Sequence, residues 1–189
     1  MREDSRKMMP IGPLMIEHRL IERMIALMKK ELQEAEKQKR VNTRFVEAAT
    51  HFIKTYADRC HHGKEEDILF RELKKKDISK EHKTILDELV QEHKWGRETT
   101  AKLVDANVRY GKGDEEALPE IAHCIRLLID FYPKHIEKED KHFFLPVMTY
   151  FSEQEKEAML KEGYELDSTL IHEEYADMVS AWDESLKGI

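Results

Sequence analysis

The chain is short of the residues that break or staple a fold. Its 189 residues include only seven Gly and five Pro, which excludes a loop-rich architecture and leaves room for long uninterrupted helices. Cysteine is nearly absent. Cys60 and Cys124 lie in unrelated contexts and no CxxC occurs, so no disulfide framework is expected and a reducing compartment is the simpler reading. Long apolar runs are missing too, and Met1 to Met9 alternates charges without an apolar stretch, so neither a membrane span nor a secretory leader is expected. An excess of positive charge is also lacking. The net charge is -7 and Lys and Arg are interspersed with acids, which gives nucleic acid no basic face to bind.

What the chain has in quantity is charge, at 38%, beside 40% hydrophobic residues. That balance describes helices with one buried stripe and well-solvated outer faces, and the length suits one domain with a sizeable core. A protein free in the cytoplasm is expected. Its partners would be small molecules and an electron donor or acceptor, and its oligomeric state is left open.

The breakers place the helices. A short arm over 1–12 ends at Pro10-Ile11-Gly12-Pro13, and a first helix runs to about Arg40 with Leu14, His18, Ile21, Ile25 and Met28 on one stripe. Asn42 or Thr43 caps a second helix reaching about Lys75, and Ser79 opens a third that carries His93 and ends near Gly111. A fourth starts between Asp114 and Pro119 and closes at Pro146, with a kink expected at Pro133. Ser152 opens a fifth region to about Leu186, interrupted near Gly163. The fold class is therefore all-α: an up-down four-helix bundle over 13–148, with a helical extension over 149–189 packed on it.

One pattern occurs twice. His62-Gly63-Lys64-Glu65-Glu66-Asp67-Ile68-Leu69-Phe70 and His135-Ile136-Glu137-Lys138-Glu139-Asp140-Lys141-His142-Phe143 share the frame His-x-x-x-Glu-Asp-x-x-Phe. Each is preceded, roughly forty residues upstream, by a Glu-His pair, Glu17-His18 and Glu92-His93. The chain reads as two copies of one unit, each bringing a His on its first helix and a His with a Glu on its second.

Helical-wheel arithmetic at about 100° per residue decides which of these face inward. The apolar stripe of the second helix centres almost on Glu66 and about 50° from His62, whereas His61 and Glu65 lie roughly 150° and 110° away and read as solvent-facing. On the fourth helix the stripe centres near Glu139, with His135 about 40° off. Residues at i and i+4 are neighbours on one face, so a His and a Glu from one helix can reach the same metal pair. Four imidazoles, His18, His62, His93 and His135, with two bridging carboxylates, Glu66 and Glu139, suit two iron ions, oxo- or hydroxo-bridged. Zinc or manganese would accept the same donors. Two carboxylates buried without metal would be costly. Glu22 and Tyr132 are further candidates at the edge of the site.

At these residues the chain resembles the hemerythrin-like, or HHE cation-binding, family, from His18 through Pro146. The resemblance implies a four-helix bundle around a non-haem di-iron centre, with the four histidines as terminal ligands and the two glutamates as bridges. There is one departure. Oxygen-carrying members have two histidines one turn apart on the third helix, whereas Leu89 and Arg97 stand one turn either side of His93. Four histidines instead of five would leave an open position on each metal. That favours reaction with, or sensing of, dioxygen, peroxide or nitric oxide over transport; iron storage or a structural metal are the alternatives.

Overall fold

Helices form wherever the breakers permit and stop where they act. In the computed structural model, which describes residues 8–187, with side chains described through residue 170, five helical rods account for nearly all of the chain. Helix α1 spans Ile11–Gln38 and stops at Lys39 in the left-handed conformation. Helix α2, residues 43–73, starts at Asn42, whose side chain accepts from the Phe45 amide; α3, Lys80–Gly111, starts at Ser79, which accepts from the His82 amide. These two caps satisfy backbone donors that a helix start leaves without partners. Helix α4, residues 118–147, opens on Pro119 in its first turn and runs on through Pro133 to Val147. The break between α3 and α4 is made at Gly113, whose φ of 96° suits glycine.

The four rods α1 to α4 form the bundle. Ile21, Ile25, Met28, Leu103, Ile121, Ile125 and Leu128 fill one half of its interior, and Leu14, Leu69, Phe70, Leu89, Phe143 and Phe144 the other. Between these apolar halves lies a layer of buried histidines and glutamates. Helix α5, Glu153–Lys187, packs along α2: Arg71 clamps Glu162 with two hydrogen bonds of 2.8 and 2.7 Å, and Lys76 reaches Glu155 at 2.5 Å. It continues through Gly163, where an interruption was expected. Residues 1–7 of the expected arm lie outside the described residues. No helix among the described residues is long and apolar enough to cross a membrane.

Helix α2 departs from the α-helical wheel. Two stretches of it, Ile53–His62 and Glu65–Phe70, are wound as π-helix. An i→i+5 turn holds one residue more than an α turn, so side chains beyond it are rotated by about 100° from the α-wheel position. Helix α4 has a π turn as well, at Glu139–Phe143, but this one begins after His135 and leaves the His135–Glu139 pair in α register.

Candidate metal centre

The rotation of α2 changes which of its residues face inward. Glu65 is fully buried, and Glu66 keeps 30% of its side chain exposed, the reverse of the facing expected from the wheel. His61 is buried as deeply as His62. The two adjacent rings straddle the inward direction, one on either side, so the expected solvent-facing position for His61 is also corrected. His18, His93, His135 and Glu139 face the interior as expected.

Ligand-capable atoms gather into two groups, each within 4.8 Å: His62, Glu65, His93 and His135 in one, His18, His61, Glu65 and Glu139 in the other. Both carboxylates straddle the groups. Glu139 sets Oε2 at 3.2 Å from His18 Nε2 and Oε1 at 3.3 Å from His135 Nε2, while Glu65 sets Oε1 at 3.4 Å from His61 Nε2 and Oε2 at 3.3 Å from His93 Nε2. Each glutamate thus offers one oxygen to either side, which is how a carboxylate bridges a metal pair.

Every one of the five rings is oriented by a carboxylate at Nδ1. His18 pairs with Asp140 at 2.8 Å, His61 with Glu17 at 2.9 Å, His62 with Asp58 at 3.3 Å, His93 with Glu66 at 2.7 Å and His135 with Glu92 at 2.8 Å. A carboxylate only accepts, so Nδ1 carries the proton and the Nε2 lone pair of a neutral ring is turned inward. Cations brace these carboxylates from outside: Arg19 on Asp140, Lys64 on Glu17, Arg97 on both Asp58 and Glu66, Lys138 on Glu92. Burial works against charge on Glu17, Glu66 and Glu92, yet the imidazole and the cation beside each hold all three below the ordinary carboxylate value.

At the centre the polar atoms find no protein partner. The Nε2 atoms of His18, His61, His93 and His135 and both carboxylate oxygens of Glu65 and of Glu139 are buried without a hydrogen bond. Each such atom costs about 1–3 kcal/mol if left so, and a shared cation pair would satisfy them all at once. The residues present therefore fit a dinuclear metal site. The protonation pattern of the protein alone carries the same signature. Burial disfavours charge on His18 and His93, but the carboxylates around them outweigh it: Asp140 and Glu139 hold His18 up at about 10, and Glu139, Glu65 and Glu66 hold His93 up at about 11. His62 goes the opposite way, pushed well below its ordinary value by burial and by the charges of His93, His61 and His135. Glu139 is buried too, yet the rings of His135, His18 and His93 keep it well below the carboxylate range. Protons on imidazoles stand in for positive charge that a metal would supply.

Glu17, Cys60 and Asp167 make a third acidic group, but the Lys64 ammonium sits among them, bonded to Glu17, to Asp167 at 2.6 Å and to Cys60 at 3.5 Å. That group is already satisfied by a cation. Glu22 is exposed and paired with Arg19 at 3.1 Å, outside the centre, and His82 bonds Tyr150 at 2.8 Å far from it. His61 and Glu65 were missed by the sequence reading. The shorter frame His-x-x-x-Glu followed by an acid fits His61-x-x-x-Glu65-Glu66 as well as His135-x-x-x-Glu139-Asp140, but the longer repeat through Phe70 and Phe143 and the α wheel both select His62 and Glu66.

These observations meet the comparison with known families: the hemerythrin HHE cation binding domain matches residues 9–147, about three quarters of the chain. The protein belongs to that family of metal-binding helical domains. No curated protein and no solved structure matches it.

Proposed function

We propose that the protein holds two iron ions and binds or reacts with dioxygen, peroxide or nitric oxide. One observation carries this reading above the rest: four imidazole nitrogens and four carboxylate oxygens converge, buried and without partners, around two shared positions. Nitrogen-rich donors with bridging carboxylates suit iron, and an iron pair supplies redox chemistry with small oxygen and nitrogen species. His62, His93 and His135 would hold one ion, His18 and His61 the other, with Glu65 and Glu139 as bridges. Glu66 leaves the expected ligand set and becomes the orienting partner of His93.

The donor count supports a refinement of the ligand chemistry. The third helix lacks a second histidine, but His62 supplies the fifth ring from α2. Three histidines and two carboxylates make five protein donors on one side, against four on the other. The expectation of equally open positions on both metals gives way to one less crowded ion, next to His18 and His61. That asymmetry favours attachment of one small molecule at one metal.

A sensing role has its own observation. A continuous chain of contacts runs from His61 through Glu17 and Lys64 to Asp167 on α5, so the appended helix is tied to a ring of the centre.

Metal analysis of the purified protein, with its absorption spectrum before reduction, after reduction and on return to air, tests the proposal. Two irons per chain and a near-ultraviolet band that bleaches on reduction are expected. Metal-free protein whose melting temperature is unmoved by chelators would contradict it.

A further inference from the structure

The five rings of the centre differ in how they communicate with the surface. His18 stacks on Phe144 with 5.6 Å between ring centroids and His93 on Phe70 with 5.9 Å, and both phenylalanines, like Phe143 beside them, are fully buried. Those contacts end inside the bundle. His135 stacks instead on Phe131 of α4 at 5.1 Å, and Phe131 in turn meets Trp95 of α3 at 4.9 Å, both separations within the contact range of aromatic pairs. Trp95 is 37% exposed. Phe131 also touches Tyr132 at 5.2 Å, but that ring is buried and leads no further. Among the described residues, His135 is the one ligand ring joined to an exposed aromatic side chain by ring contacts alone.

A second path leaves the same ring for the same place. His135 donates from Nδ1 to Glu92 at 2.8 Å, and Glu92 lines a surface hollow together with Trp95, Phe131 and Glu98. The stack and the hydrogen bond thus start on one ligand and open on one patch. Trp95 belongs to neither apolar half of the interior, so filling the bundle does not call for an indole there. Inward, His135 is continuous with the rest of the centre. Its ring lies 5.0 Å from that of His93 and 5.7 Å from that of His62, and its Nε2 faces Glu139, whose other oxygen faces His18.

We infer that Trp95, Phe131 and His135 form the route by which electrons pass between the metal pair and a one-electron carrier outside the protein. The inference rests on the di-iron reading and adds to it the place where electrons enter. In the reductive direction the carrier loses one electron and the ferric ion beside His135 gains it; no bond forms or breaks. Tunnelling falls steeply with the gap between conjugated groups, so a side chain without a π system in place of Trp95 or Phe131 interrupts the route even where it fills the space.

The test uses the full-length, iron-loaded, oxidised protein and, as carrier, the one-electron-reduced form of tris(bipyridine)ruthenium, generated by a laser flash in the presence of ascorbate and too bulky to enter the bundle. Decay of the ferric absorption after the flash gives the transfer rate, and iron content, melting temperature and midpoint potential are measured on the same samples. Trp95→Leu and Phe131→Leu should each slow transfer several-fold at unchanged iron content and potential, and Trp95→Phe, which keeps a ring, should fall between Trp95→Leu and wild type. Tyr164→Leu, which removes an exposed ring outside the chain of contacts, should leave the rate as it is. Iron-replete Trp95→Leu and Phe131→Leu proteins reduced as fast as wild type overturn the route, as does equal slowing by Tyr164→Leu. Wild-type protein without iron is the failure of the di-iron reading, registers in the metal analysis, and takes the route with it.

Discussion

At the scale of single residues, the centre is specified by neighbours in sequence that serve different helices. Glu17 orients His61 while His18 beside it joins the centre, and Glu92 orients His135 while His93 does the same. Glu66 and Asp140 repeat the arrangement beside Glu65 and Glu139. Replacing Glu65 by Ala should therefore strip metal from the protein, whereas Glu66→Ala should keep the pair and weaken its hold by about ten- to a hundredfold, the usual effect of losing a carboxylate behind a ligating histidine. Metal content after dialysis against graded chelator distinguishes the two. Equal metal in Glu65→Ala and wild type would reverse the assignment. Five of the seven inward donors were legible in the sequence, because His18, His62, His93, His135 and Glu139 sit on apolar stripes. His61 and Glu65 were not legible, since a wheel assumes one winding and α2 has two.

At the scale of elements, the π-wound stretches of α2 are what bring adjacent histidines to opposite sides of the centre. Deleting Thr55, inside Ile53–His62, removes one residue from that winding and should turn His61, His62 and Glu65 away by about 100°. Helicity read by circular dichroism should persist while bound metal is lost. Retention of both ions in the deletion variant would show that the winding does not set the site. The helix ends obey simpler rules. Asn42 caps α2 through the Phe45 amide, and Asn42→Ala should lower the unfolding free energy by about 1 kcal/mol in denaturant titration with metal content unchanged. Breakers and caps made the five helices readable because these signals act within a turn, whereas the choice between α and π winding is made by contacts across the bundle.

At the scale of the molecule, metal, protons and the appended helix act on one centre. With His18 and His93 held up at about 10 and 11, above the ordinary imidazole value of 6.5, their protonation stabilises the metal-free fold below that value and is lost as pH rises through the raised ones. Metal competes with those protons. Loading the metal-free protein near neutral pH should therefore release at least the protons of His18 and His93, and affinity should rise with pH; titration calorimetry in buffers of differing ionisation heat measures the number. Helix α5 enters through Asp167, whose bond to Lys64 braces the Glu17–His61 pair. Asp167→Ala should lower the melting temperature by a few degrees and perturb the spectrum of the loaded centre, and a spectrum identical to wild type would uncouple α5 from the metals.

The central claim is that two metal ions share Glu65 and Glu139, three histidines on one side and two on the other. Crystallographic anomalous-difference maps of the metal-loaded protein, collected on either side of the iron absorption edge, test it directly. The account predicts two iron peaks, one among His62, His93 and His135 and the other between His18 and His61, with a glutamate oxygen from Glu65 and from Glu139 on each. A single peak, or peaks ligated by Glu66 with Glu65 turned to solvent, would contradict it.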